Sequence, residues 1–196
     1  MKRRNNRKNV FAVVTVSAIL CGGLLTGCSS GTKSATEALE EGDYTAAASQ
    51  FEEAAQKAEK KEDYETAADA YRGLGMAYYE QEEYENARTN LQKALDLGGT
   101  QTPVIYDMLG VCGMRLEDYG SARTAFETGI ALASSAVGES EETDYTETLK
   151  EMKFNRVICC EKSGDWAAAK EAAQEYMTEY PDDTDMQHEW EFLQTR

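Results

Sequence analysis

Apolar and small residues recur along this chain in a fixed rhythm that begins at an acid–aromatic pair. Tyr44, Tyr84, Tyr119 and Trp166 each follow an acidic residue, and each is followed three positions on by an alanine: Ala47, Ala87, Ala122 and Ala169. Seven positions past the aromatic stand Phe51, Leu91, Phe126 and Ala173, and ten past it Ala54, Ala94, Gly129 and Tyr176. Offsets of 3, 7 and 10 trace one face of an α-helix. Upstream of the second and third aromatics a partner helix is written equally plainly, with Tyr71, Leu74, Gly75 and Tyr78 in one and Tyr106, Leu109 and Gly110 in the other. A glycine inside a helix costs about 1 kcal/mol relative to alanine, so its recurrence at one repeat position points to close helix packing.

Each copy is a helix-turn-helix unit too small to bury its own apolar face, so neighbouring units must stack into a continuous core. These residues resemble the tetratricopeptide repeat, whose 34-residue pattern runs aromatic, Leu-Gly, Tyr, then Ala, Phe and Pro. The resemblance covers Gly31 to Pro181 and is strongest in the second and third copies; Pro181 is the one proline at the family position. It implies an all-α, right-handed α-solenoid of about four helix pairs. The turn aromatics are spaced by 40, 35 and 47 residues, so the first and third intervals must hold extensions. A partial copy at Asp63-Tyr64, with Ala67 and Tyr71, reads as part of a long first helix. Ser134 to Asp144 is small and acidic, which predicts a loop or frayed helix end. Residues 182–196 place Met186, Trp190 and Leu193 at helical spacing and predict a capping helix.

The front of the chain belongs to another grammar. Lys2, Arg3, Arg4, Arg7 and Lys8 precede an apolar run from Val10 to Leu25, the arrangement of a secretory signal. At 16 residues the run is shorter than the roughly 20 a spanning helix needs. It ends in Leu25-Thr26-Gly27-Cys28, which resembles the bacterial lipoprotein cleavage box. The resemblance implies a signal peptide over 1–27, a diacylglyceryl group on the Cys28 thiol and a lipidated tether over 28–34. The repeat array would then occupy 35–181. Two or three acyl chains, at about 0.8 kcal/mol per buried CH₂, anchor stably where one is marginal. The expected location is the extracytoplasmic face of a bacterial membrane, with the outer membrane open if the organism has one.

Without residues 1–27 the chain holds 15 basic and 36 acidic residues, a net charge of −21. A basic stripe for phosphate is therefore lacking, and nucleic acid is excluded as a partner. Cys112, Cys159 and Cys160 fall in first helices of their repeats and read as buried free thiols. His188 is the only histidine, and the acids around Pro181-Asp182-Asp183-Thr184-Asp185 are explained by helix-start chemistry. No metal, no cofactor and no catalytic constellation is expected: nucleophile elbow, phosphate loop and placed histidine are all missing.

Recognition remains. The resemblance places binding in a concave groove lined by the first helix of each repeat. In register, that selects Asp69, Arg72, Met76, Tyr79 and Glu80, then Val104, Asp107, Met108, Val111, Met114 and Arg115, then Glu151, Phe154, Asn155, Ile158, Glu161 and Lys162; the candidate contacts among them are Arg72, Met76 and Tyr79, then Val111, Met114 and Arg115, then Phe154, Asn155 and Ile158. Family members that clamp a peptide's terminal carboxylate use lysines and asparagines at the fifth and ninth positions. Met76, Val111 and Ile158 hold the ninth here, so that clamp is absent, and only Asn155 matches a backbone-binding position. An apolar protein or peptide segment is the expected partner of a non-catalytic adaptor. A structural component of an envelope assembly machine, working through its convex face, is the alternative; a ligand-binding or catalytic domain, marked by a pocket of convergent polar groups, is a third.

Overall fold

The computed structural model describes residues 32–136 and 145–196, and the described residues form helices joined by turns and short connections, with no strand among them. Four antiparallel helix pairs follow in chain order. They are α1 (Lys33–Glu40) with α2 (Tyr44–Glu59), α3 (Tyr64–Glu80) with α4 (Tyr84–Asp96), α5 (Pro103–Arg115) with α6 (Tyr119–Ala136), and α7 (Thr146–Lys162) with α8 (Trp166–Glu179). The last helix, α9 (Thr184–Leu193), packs on α8. Each helix packs on the next, and first helices also meet one another, α1 with α3 and α5 with α7. That adjacency makes two layers, with the first helices of the pairs on the inner side and the second helices outside.

The repeated acid–aromatic pairs are helix starts. Asp43, Asp63, Asp165 and Asp183 each accept a hydrogen bond from the backbone N–H three residues on, and the Asp118 carboxylate does the same for Ser121 N–H at 3.2 Å. A cap of this kind is worth about 1 kcal/mol. The residue before each acid–aromatic turn closes the previous helix in the left-handed region: Gly42 at φ +79°, Glu62 at +56°, Glu82 at +59°, Glu117 at +60° and Gly164 at +76°.

The register of the repeats then fixes the core. The alanine three past each turn aromatic and the residue seven past it are all fully buried: Ala47 with Phe51, Ala87 with Leu91, Ala122 with Phe126, Ala169 with Ala173. Burying a large apolar side chain contributes roughly 1.5–3 kcal/mol. Opposite each large residue the first helix is small. A Cβ on Gly75 would stand 2.7 Å from Leu91, and one on Gly110 would run into the Phe126 ring. In the last pair the sizes exchange, for nine residues before Trp166 stands Val157, in register with Ala173, and both are fully buried.

α9 is held by a network as well as by Met186 and Leu193, both fully buried. Asp183 caps it through Met186 N–H at 3.1 Å, accepts Tyr176 Oη–H from α8 at 3.0 Å, and pairs with Lys150 Nζ of α7 at 3.0 Å.

Two boundaries differ from expectation. α1 starts at Lys33, inside the stretch predicted as tether, because Thr36 N–H already bonds the Thr32 carbonyl at 2.9 Å. α6 continues through Ala136, so the first three residues of the predicted acidic loop are helical; residues 137–144 lie outside the described residues. So does the signal segment with Cys28. The extensions that lengthen the first and third intervals are long helices, α2 and α3 at 16 and 17 residues, α6 and α7 at 18 and 17. Asp63-Tyr64 starts the long first helix of the second pair, as its spacing suggests. Among the described residues, no helix is long and apolar enough to cross a membrane.

Candidate functional site

Helical periodicity assigns the inner side chains. Gly75, Gly110 and Val157 stand at the position that faces their own second helices, so residues about 40–160° away on each first helix face inward and toward the neighbouring first helix. Arg72, Met76 and Tyr79 on α3 satisfy that; so do Asp107, Val111, Met114 and Arg115 on α5, and Glu151, Phe154, Asn155 and Ile158 on α7. The nine side chains expected from the sequence therefore fall on one layer of three parallel helices.

Their exposure differs from an open apolar floor. Met76, Tyr79, Val111, Met114, Phe154, Asn155, Ile158 and Arg72 are all under a tenth exposed, and Arg115 is the exposed member. Tyr79 meets Tyr84 edge-on with ring centroids 6.0 Å apart, and the Arg115 guanidinium sits 5.5 Å from the Tyr84 ring. Phe154 makes the same edge-on contact with Tyr176 at 5.8 Å. A partner reaches Arg115 directly and reaches the buried eight only as they are uncovered.

Sequence reasoning placed Glu80, Asp107 and Glu151 on this face by register, but not their environment. Asp107 is 5% exposed and its Oδ1 has no hydrogen-bond partner; the Oε1 of Glu80, the Oε2 of Glu151 and the Nε of Arg72 are also buried without one. Arg72 is otherwise engaged by Asp69 at 2.9 Å, one helical turn away. Burial pushes the Asp107 carboxyl up to about 8, with the charge of Glu151 adding to it. Burial likewise lifts Glu151 to about 7, helped by Glu147. Tyr79 is raised too, by burial first and by Asp107 next. Asp107, Glu151 and Tyr79 thus share one electrostatic neighbourhood across α3, α5 and α7. Asp107 was legible only as the fifth position of its repeat. Nothing in the sequence says that it lacks a partner.

The thiols are where the pattern put them. Cys112, Cys159 and Cys160 are free and buried. Burial holds Cys112 and Cys159 near 12 and raises Cys160, which leaves them as packing groups with little thiolate. Among the described residues, no three His, Cys, Asp or Glu side chains gather as metal ligands.

On the opposite side a groove of about 770 Å³ runs between α4 and α6 over α5, walled by Thr89, Gln92, Thr124 and Thr128 with Tyr106 and Leu109 beneath. Its cations are engaged: Lys93 with Glu59 at 2.8 Å and the Tyr71 hydroxyl at 2.7 Å, Arg88 with Asp118 at 3.2 Å. Each bond crosses between helices, so these cations stitch the outer layer together.

Comparison with known proteins agrees with this architecture. A tetratricopeptide repeat family model matches residues 32–102. No curated protein matches the chain in sequence. Among solved structures, the chain is similar to YrrB, described as a TPR protein with an unusual peptide-binding site, with a TM-score of 0.65 and 20% identity over 83% of this chain and 73% of that one. It is also similar to BtubC (BKLC) from P. vanneervenii, with a TM-score of 0.60 and 18% identity over 75% of this chain and 60% of that one. The acid-capped aromatic turns, the paired helices and the matched segment agree: residues 32–102 match the tetratricopeptide repeat, and the described helix pairs share the fold of solved tetratricopeptide repeat structures.

Proposed function

We propose that this protein is a non-catalytic adaptor, anchored by a lipid on Cys28 to the extracytoplasmic face of a bacterial membrane, whose inner face holds a protein or peptide segment. The observation that carries the binding role is the mixture on that face: methionine, valine and isoleucine interleaved with buried polar atoms that have no partner. A layer made only for packing gains nothing from unsatisfied polar atoms, each of which costs about 1–3 kcal/mol. A recognition face gains specificity from them, because the right ligand repays that cost and a wrong one does not. Helices ordered at folding lose little further entropy on binding. That one of the similar structures is described as having a peptide-binding site supports this reading.

A photo-crosslinking residue at Arg115, on the inner face, and at Gln92, exposed on α4, tests the reading in cells of the native host. Protein adducts from Arg115 and none from Gln92 are expected. Adducts from Gln92 alone would move the interaction to the convex side and overturn it. The anchor is tested separately. Cys28→Ser should abolish incorporation of a labelled fatty acid and release the chain from membranes, and a lipid-free wild type would sink that half.

A further inference from the structure

Asp107 is a buried acid and Glu151 a half-buried one, and Asp107 Oδ1 and Glu151 Oε2 are buried with no hydrogen-bond partner among the described residues. Asp107 is in register with Val111 and Met114 on α5, at i, i+4 and i+7. Glu151 is in register with Phe154 and Ile158 on α7, at i, i+3 and i+7. The two helices are parallel, so both acids lie toward the N-terminal end of the face and the apolar side chains toward its C-terminal end. Arg72, Lys150 and Arg88 are ion-paired with other acids, Asp69 at 2.9 Å, Asp183 at 3.0 Å and Asp118 at 3.2 Å; of these, Lys150 also acts on Glu151 at longer range.

We propose that Asp107 and Glu151 together receive a lysine or arginine side chain of the partner, at one end of an apolar stretch that runs along Val111, Met114, Phe154 and Ile158. This rests on the inner face being the binding face. The argument is one of complementarity. Two carboxyl groups in each other's field cannot both be ionised cheaply in a desolvated place, and a cation arriving between them removes both the repulsion and the missing hydrogen bonds. An anionic segment would add a third like charge. A wholly apolar one would leave Asp107 Oδ1 and Glu151 Oε2 unsatisfied and so be rejected. The preference is thus opposite in sign to that of a clamp for a peptide's terminal carboxylate. The arrangement also gives the groove a direction, with the basic end fixed at α5 and α7 and the apolar end leading toward Met114 and Ile158.

The test is selection of a random dodecapeptide library displayed on phage against the full-length chain held in detergent, beside the D107N/E151Q double variant. Both substitutions keep size and remove charge, so the variant should fold; thermal melting checks this. The wild type should enrich peptides with Lys or Arg beside an apolar run. The variant should keep the apolar run, lose the basic residue, and bind the wild-type-selected peptide about tenfold or more weakly. Apolar peptides without a basic residue on the wild type would overturn the inference and leave the groove reading standing. Equal basic enrichment on the variant would do the same. Enrichment of nothing on either protein would overturn both. Calcium binding by the wild type alone, measured by titration calorimetry without peptide, would assign the acids to a metal and also overturn the inference.

Discussion

The two sides of the first-helix layer are built on opposite terms. Toward the second helices, every position in the repeat register is filled by complementary size, small against large, and the participating side chains are fully buried: Ala47, Phe51, Leu91, Phe126, Val157, Ala173. Away from them, the same helices bury Asp107 and polar atoms of Glu80, Glu151 and Arg72 without partners. One side is closed by its own chain. The other carries costs that only something else can repay. Toward the second helices the orphaned Arg156 Nε belongs to a guanidinium already paired with Glu175 of α8; the lesson is that burial does not distinguish scaffold from site in a repeat protein, whereas a buried acid with no ion pair does.

The sharpest way to break that contrast is to move the last pair's packing solution into the third pair. Phe126→Ala leaves a cavity against Gly110 and should cost about 3–5 kcal/mol. Gly110→Val drives a branched side chain into the Phe126 ring and should cost about 1–3 kcal/mol. Combined, they recreate the Val157 and Ala173 pairing, so the double variant should be more stable than the sum of the two losses predicts by about 1–3 kcal/mol. Urea denaturation of the four proteins measures this. Strict additivity would mean that the exchange of sizes is not one packing unit.

The inner side should answer differently. The Asp107 carboxyl, raised to about 8, is protonated in the fold at pH values where an unfolded aspartate is ionised. Its folded form binds more protons than its unfolded form, so stability should fall as pH rises from about 4 through about 8 and then level off. Asp107→Asn removes that dependence. Its advantage over the wild type should be near zero at the acid end and grow to about 1–3 kcal/mol by pH 8. Tyr79 on α3, Cys112 on α5 and Glu151 on α7 are the titratable groups in its field, with Glu147 and Lys150 acting on Glu151. Tyr79 and Cys112 titrate above this window, and Glu151, raised to about 7, adds to the slope with the same sign. Chemical denaturation across pH, taken as the difference between variant and wild type, cancels the repulsion among the other acids. A pH-independent difference would mean that Asp107 is charged and partnered in the fold.

How much of this could be read in advance follows the same division. The pairing of Ala122 with Phe126 and of Gly110 with its partner helix is a matter of period and residue size, and both are written in the chain. The cap helix followed from Met186 and Leu193 in the same way. The inner face was legible as positions but not as environment. Arg72, Met76 and Ile158 were found because the repeat register names them. Their burial depends on distant helices, and so does the isolation of Asp107: Arg72, Arg88 and Lys150 are paired with Asp69, Asp118 and Asp183, which is a property of rotamers and neighbours that spacing does not carry. The outer groove over Tyr106 and Leu109 escaped for the same reason, since its walls are ordinary polar residues of α4 and α6.

A last, smaller substitution separates effects that belong to a face from effects on the whole rod. Glu117 closes α5 at φ +60°, a conformation that Gly42 and Gly164 supply in the first and fourth turns without a Cβ in the way. It is exposed and touches neither the interlocked side nor the acid pair. A left-handed non-glycine residue costs about 1–2 kcal/mol, offset by the roughly 0.5–1 kcal/mol of entropy that glycine loses on folding. Glu117→Gly should therefore raise stability by about 0.5–1 kcal/mol, read as a higher denaturation midpoint at unchanged slope. Because the gain comes from backbone strain alone, the pH dependence contributed by Asp107 and the selection of basic peptides should both persist. If relaxing this turn instead altered peptide selection, the inner face would be set by the angle between α5 and α6, and the two sides of the layer would not be independent.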